Sequence, residues 1–164
     1  MRIASNEQAR PVAFEPLQRL LLVVEGRTGA RTAIAEAVAL ARAHDAALWL
    51  AAGPPVADDG PSVVAAMTQE ALRAARQARV PAVEVVSETR ATAASLCRTA
   101  EQTGCDLIVV AVHPGTAVGR LLEGSLVPRL ITASAVPVLV VPDAPPGSPR
   151  KIRRRRHLPP AGDA

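Results

Sequence analysis

Three runs of apolar residues set the strongest limit on what this chain can become: 20–24 (LLLVV), 106–112 (DLIVVAV) and 136–141 (VPVLVV). A strand with one face in water alternates apolar with polar side chains, and these do not. They read as strands covered on both faces, the situation in parallel sheets whose crossover helices pack on either side. Two further runs, 47–51 (ALWLA) and 83–86 (VEVV), complete a set of five predicted strands.

The segments between the runs carry a helical period. In 28–44, Ile34, Val38 and Ala41 recur at spacings of four and three, with Arg31, Glu36 and Arg42 on other faces. An Ala-rich helix is predicted over 62–79 with Ser62 as its N-cap, and Pro81 stops it. A third helix over 89–103 places Ala93, Leu96 and Ala100 on one side and stops at Gly104, and a fourth covers 125–133. Strands alternating with helices imply βαβ crossovers, hence an open, mostly parallel five-stranded α/β sheet with helices on both faces.

The chain has 164 residues, 49% of them hydrophobic, enough for one buried core and no second domain. The expected organisation is an N-terminal arm over 1–16, one folded domain over 17–142, and a Pro/Arg-rich tail over 143–164 too polar to pack. No stretch reaches the roughly 18 uninterrupted apolar residues of a membrane span, and the first residues lack the apolar core of a secretion signal. The expected compartment is the cytoplasm.

Charge is divided unevenly. The net charge is +4, but residues 144–164 hold six basic side chains (Arg150, Lys151, Arg153, Arg154, Arg155 and Arg156) against Asp163, giving +5 and leaving −1 for residues 1–143. A nearly neutral domain lacks the basic surface that phosphate backbones require. The tail keeps open an electrostatic attachment to nucleic acid or an acidic surface, although it has no aromatic side chains to stack on bases, and a solvated tail is the plainer reading. Cys97 and Cys105 have neither metal-site spacing nor a disulfide framework, and read as packing residues.

Open α/β sheets take ligands beyond the carboxyl ends of their strands, where the strand order reverses. That directs attention to the segments 25–29, 52–60 and 112–119 that follow the strands, together with the helix that opens at Gly124-Ser125, whose first N–H groups are unpaired. Ser125 has an equally simple reading as an N-cap, with Pro128 tolerated in the first turn. His113 and Arg120 are placed to meet a phosphate, or simply to be solvated. Trp49, the sole tryptophan, lies near this end and reads as core.

The stretch DLIVVAVHPGTAVGRLLEGSLVPRLITASAVPVLVVP over 106–142 resembles the C-terminal half of universal stress proteins, and LLLVVEG with ALWLAAG follows that family's first half. The resemblance covers residues 17–142. It implies strand order 3-2-1-4-5, a homodimer formed through the last strand with Val136, Val138 and Val140 at the interface, and a stress-response or regulatory role. Many members bind ATP, with Mg, through Gly-x2-Gly-x9-Gly-Ser/Thr. Aligned on Gly124 and Ser125, the motif's first two glycines fall on Ala111 and Pro114, the family's strand-ending Asp falls on Glu25, and its adenine-side position falls near Gly53.

Pro114 is the departure with the largest physical effect, because it removes an N–H and fixes φ where a glycine lets backbone approach the ligand; Gly115 is the nearest substitute. The resemblance thus implies a site for ATP or another adenine nucleotide built from Glu25, Gly53, Ala111, His113, Gly115, Gly124, Ser125 and Leu126. A nucleotide-free dimeric scaffold is the alternative. Catalysis is not expected, since no nucleophile–base pair, no Gly-x4-Gly-Lys-Ser/Thr loop and no metal set is present.

Overall fold

In the computed structural model the described residues are 15–25, 30–53, 61–85, 91–112 and 126–142. They form β1 (Arg19–Val24), α1 (Ala30–His44), β2 (Ala47–Ala52), α2 (Pro61–Gln77), β3 (Ala82–Val85), α3 (Ala93–Thr103), β4 (Leu107–Val112), α4 (Leu126–Ala133) and β5 (Val138–Pro142). The five strands make one sheet in the order β3-β2-β1-β4-β5, and every neighbouring pair is parallel. This is the architecture that the uninterrupted apolar runs predict.

The register explains those runs. Leu21 lies opposite Trp49 on one side and Ile108 on the other, so alternate residues of the three central strands point to the same face. Leu20, Leu22, Val24, Leu48, Leu50, Val109 and Ala111 join a core with α1 and α2. Leu21, Val23, Ala51, Ile108 and Val110 join a second core with Leu96, Cys97 and Ala100 of α3 and Leu130 of α4. A central strand therefore has no water-facing side, whereas edge strand β3 keeps Glu84 exposed.

The helices meet the sheet through small side chains. Ala30, Ala33, Ala37 and Ala41 of α1, with Ile34 and Val38, are buried and bring the helix axis close to the strands. On α2 the buried stripe is Val64, Thr68, Ala71 and Ala75, and the Thr68 hydroxyl is satisfied by the carbonyl of Val64 at 3.0 Å. Arg31 and Glu70 bridge the two helices at 3.0 Å near the surface, a contact that contributes little.

At the amino ends of the strands, the Asp106 carboxylate accepts the N–H groups of Gln18 at 2.7 Å and Arg19 at 2.9 Å, fastening the entry of β1 to that of β4. The Arg19 guanidinium donates to the carbonyl of Thr103 at 3.1 Å. Asp106 thus acts before β4 rather than within it.

Several predicted boundaries shift. Ser62 is the second residue of α2 and not its N-cap; the helix opens on Pro61, which suits a first turn because its missing N–H has no partner to lose. The third helix begins at Ala93, since Thr92 caps it: the Thr92 hydroxyl accepts the Ser95 N–H at 3.1 Å while Ser95 Oγ accepts the Thr92 N–H at 2.8 Å. Gly104 ends it in the left-handed region at φ 63°. Val136 lies outside β5, in a bend where Ser134 Oγ accepts its N–H at 3.0 Å and donates to its carbonyl at 2.6 Å, so of the three predicted interface residues only Val138 and Val140 are on the strand.

Candidate functional site

The strand order reverses at β1, flanked by β2 on one side and β4 on the other. Chain connections leave a crevice open beyond the carboxyl ends of such strands. Glu25 follows β1 directly, Gly53 follows β2, and Ala111 and Val112 end β4.

Glu25 is the unusual residue. It is only 8% exposed although it is a carboxylic acid at a strand end. No hydrogen bond or ion pair to it is seen among the described residues. Burial pushes its carboxyl up to about 7 from an ordinary value of 4.5, since desolvation disfavours the charged form. A carboxylic acid buried at the end of a central strand, with its acidity shifted by desolvation, is the kind of group found at binding sites.

Gly53 makes room for it. Its N–H donates to the Val24 carbonyl at 2.8 Å, holding the end of β2 against the end of β1. A Cβ at this position would lie 2.8 Å from Glu25 Cγ and 3.2 Å from both Val23 Cγ1 and the Val24 carbonyl. The stem of Glu25 therefore lies across Gly53, on the side of the sheet where Val23 packs under α3 and α4. Only a residue without a side chain leaves that stem undisturbed.

Ala111 is buried at the end of β4, but its methyl belongs to the core under α1, on the opposite face. Leu126 opens α4 and packs against the α3–α4 core. The structure thus brings Glu25 and Gly53 into contact and places Ala111 on the neighbouring strand. His113, Gly115, Gly124 and Ser125, like Pro114 and Arg120, lie outside the described residues, as does the whole basic tail from Arg150 to Arg156.

Trp49 packs with the α3–α4 core as the sequence suggests, yet its indole N–H is buried without a partner. It shares strand parity with Ala51 and Gly53. Two open depressions, about 420 Å³ beside Ser134–Val138 and about 510 Å³ between α1 and the end of α2, are lined by neither Glu25 nor Gly53. Among the described residues no three His, Cys, Asp or Glu side chains gather as a metal site, and no helix is long and apolar enough to cross a membrane.

A parallel α/β sheet of order 3-2-1-4-5, with a buried acid at the switch point, defines the class. The sequence profile of the universal stress protein family matches residues 16–142, and the chain belongs to that family. Its fold is shared with a universal stress protein solved in complex with cAMP (24% identity, 79% of this chain and 100% of that one, TM-score 0.62). It is shared too with one from Archaeoglobus fulgidus in complex with dAMP (15%, 76% and 96%, 0.55) and one from Arabidopsis thaliana with AMP bound (11%, 82% and 97%, 0.56). Comparison with curated protein sequences gives no significant match.

Proposed function

We propose that this chain is a homodimeric, non-catalytic regulator of the stress-response type that binds an adenine nucleotide in the crevice beyond β1 and β4. The observation that carries the reading is the buried Glu25 lying over Gly53 at the switch point. Relatives of the same fold hold cAMP, dAMP and AMP, which supports an adenine ligand here.

In this reading Glu25, Gly53 and the backbone at Ala111 meet the nucleoside. His113, Gly115, Gly124, Ser125 and the N-terminal turn at Leu126 meet the phosphates, with Mg where the ligand is ATP. Residues 17–142 form the working domain, in the cytoplasm, with 1–16 and 143–164 as appendages. The two copies join along β5.

Native mass spectrometry of the freshly purified protein tests the whole reading at once. A dimer carrying an adenine-nucleotide mass, or acquiring one from added Mg-ATP or AMP, is the expected result. A bare dimer that ignores both replaces it with a nucleotide-free scaffold.

A further inference from the structure

We propose that Glu25 reads the base of the bound nucleotide as a neutral acid, donating one hydrogen bond and accepting another, and that it prefers an adenine-type edge to a guanine-type edge until it ionises. The inference rests on the nucleotide reading and adds to it the group that selects the base and the condition under which selection changes.

A neutral carboxyl presents a donor and an acceptor side by side, and an ionised one presents acceptors only. Adenine offers a ring-nitrogen acceptor next to an amino donor, which matches the neutral form. Guanine offers two adjacent N–H donors, which match the ionised form. The same side chain therefore favours different purines in its two states, provided that water does not compete for it. At 8% exposure, with its stem against Gly53, Glu25 has little of its side chain in contact with water.

Among the described residues, burial alone moves the carboxyl. The described ends of β1, β2 and β4 carry no charged side chain at this point: they are Val23 and Val24, Ala51 to Gly53, and Val110 to Val112. The first turn of α1 contributes Arg31, which is engaged by Glu70 at 3.0 Å. The first turn of α3 is Ala93 to Leu96, without charge, and α4 brings an exposed Arg129 one turn in. Arg27, His113 and Arg120 lie outside the described residues. Burial is the cause of the raised carboxyl, which places the change of state near neutral pH.

Isothermal titration calorimetry with AMP and GMP, run on the full chain from pH 6.0 to 8.5, tests this on the wild type and on Glu25→Gln. Both ligands carry the same phosphate, so the ratio of their affinities cancels its titration. In the wild type the preference for AMP should fall by up to about tenfold per pH unit above pH 7. Glu25→Gln, whose amide keeps one donor and one acceptor at every pH, should hold its AMP preference constant. AMP binding with a pH-independent ratio in the wild type overturns the proposal while leaving the nucleotide reading intact. Absence of binding by either ligand at every pH sinks both. The wild-type profile decides by itself if the variant fails to fold.

Discussion

At Glu25 the cost of burying an acid becomes a measurable pH dependence of stability. Its carboxyl has a value of about 7 in the folded chain against 4.5 when free, so between those values the folded state holds a proton that the unfolded state has released. Stability then falls as pH rises from about 4.5 to about 7 and levels off beyond, by roughly 3 kcal/mol at about 1.36 kcal/mol per unit. Urea unfolding of wild type and Glu25→Gln across this range should give a difference that grows in favour of the variant up to pH 7. A constant difference would mean that water reaches the carboxyl. Gly53 gives a second prediction: Gly53→Ala puts a methyl 2.8 Å from Glu25 Cγ and should cost about 1–3 kcal/mol as an overpacked contact. In a Glu25→Ala background most of that cost should vanish, and the double-mutant cycle reads the coupling directly. The sequence places both residues at the site through a resemblance and through their positions after strands. It does not show that they touch or that the acid is buried, because neighbouring strand ends meet only through the sheet register.

Three helices end in one way, and only one of them announces it. The N–H groups of Ala46, Val80 and Cys105 reach back five residues to the carbonyls of Ala41, Ala75 and Ala100. Asp45 at φ 55°, Arg79 at φ 59° and Gly104 at φ 63° make the left-handed turn before them. Gly104 is legible as a stop because glycine takes that conformation freely. Arg79 is not, and Pro81 two residues on draws the eye instead, although α2 has already ended at Gln77. An L side chain in this region costs about 1–2 kcal/mol, partly offset by the greater freedom of an unfolded glycine. Arg79→Gly is accordingly expected to raise stability by about 0.5–1 kcal/mol. Gly104→Ala should lower it, the more so because its new Cβ would lie 2.9 Å from Arg19 Nη1. Chemical denaturation of both variants checks the pair, and equal effects of one sign would contradict the account. The amino ends show the converse limit: Ser62 has the residue type of a cap, but Pro61 starts the helix, and the Thr92–Ser95 box departs from the usual Glu or Gln at its third position.

Among the described residues the sheet ends in β3 on one side and β5 on the other, and the two edges differ in what they invite. β3 is four residues long, follows Pro81 and exposes Glu84, features that discourage further pairing. β5 is apolar throughout, so the proposed homodimer is argued to form there. The fold of the monomer was legible because alternation of apolar runs and helical periods fixes a parallel sheet. The edge chemistry was legible less finely, because which backbone groups face outward depends on register. The Ile108 N–H donates to the Pro137 carbonyl at 2.9 Å, and Ile108 pairs with Val138. In a parallel ladder this directs the backbone groups of Leu139 and Val141 toward β4 and those of Val138 and Val140 toward the open edge. The side chains of Val138 and Val140 pack with the α3–α4 core, so a charge there would disturb the fold along with any interface. Val140→Pro separates the two effects: it removes an outward N–H, and proline is tolerated on an edge in that position. By light scattering the variant should be a monomer with its circular dichroism retained, whereas Leu139→Pro, which loses a bond to β4, should be destabilised outright. A Val140→Pro protein that keeps the wild-type mass of a dimer would place the contact between copies elsewhere than β5.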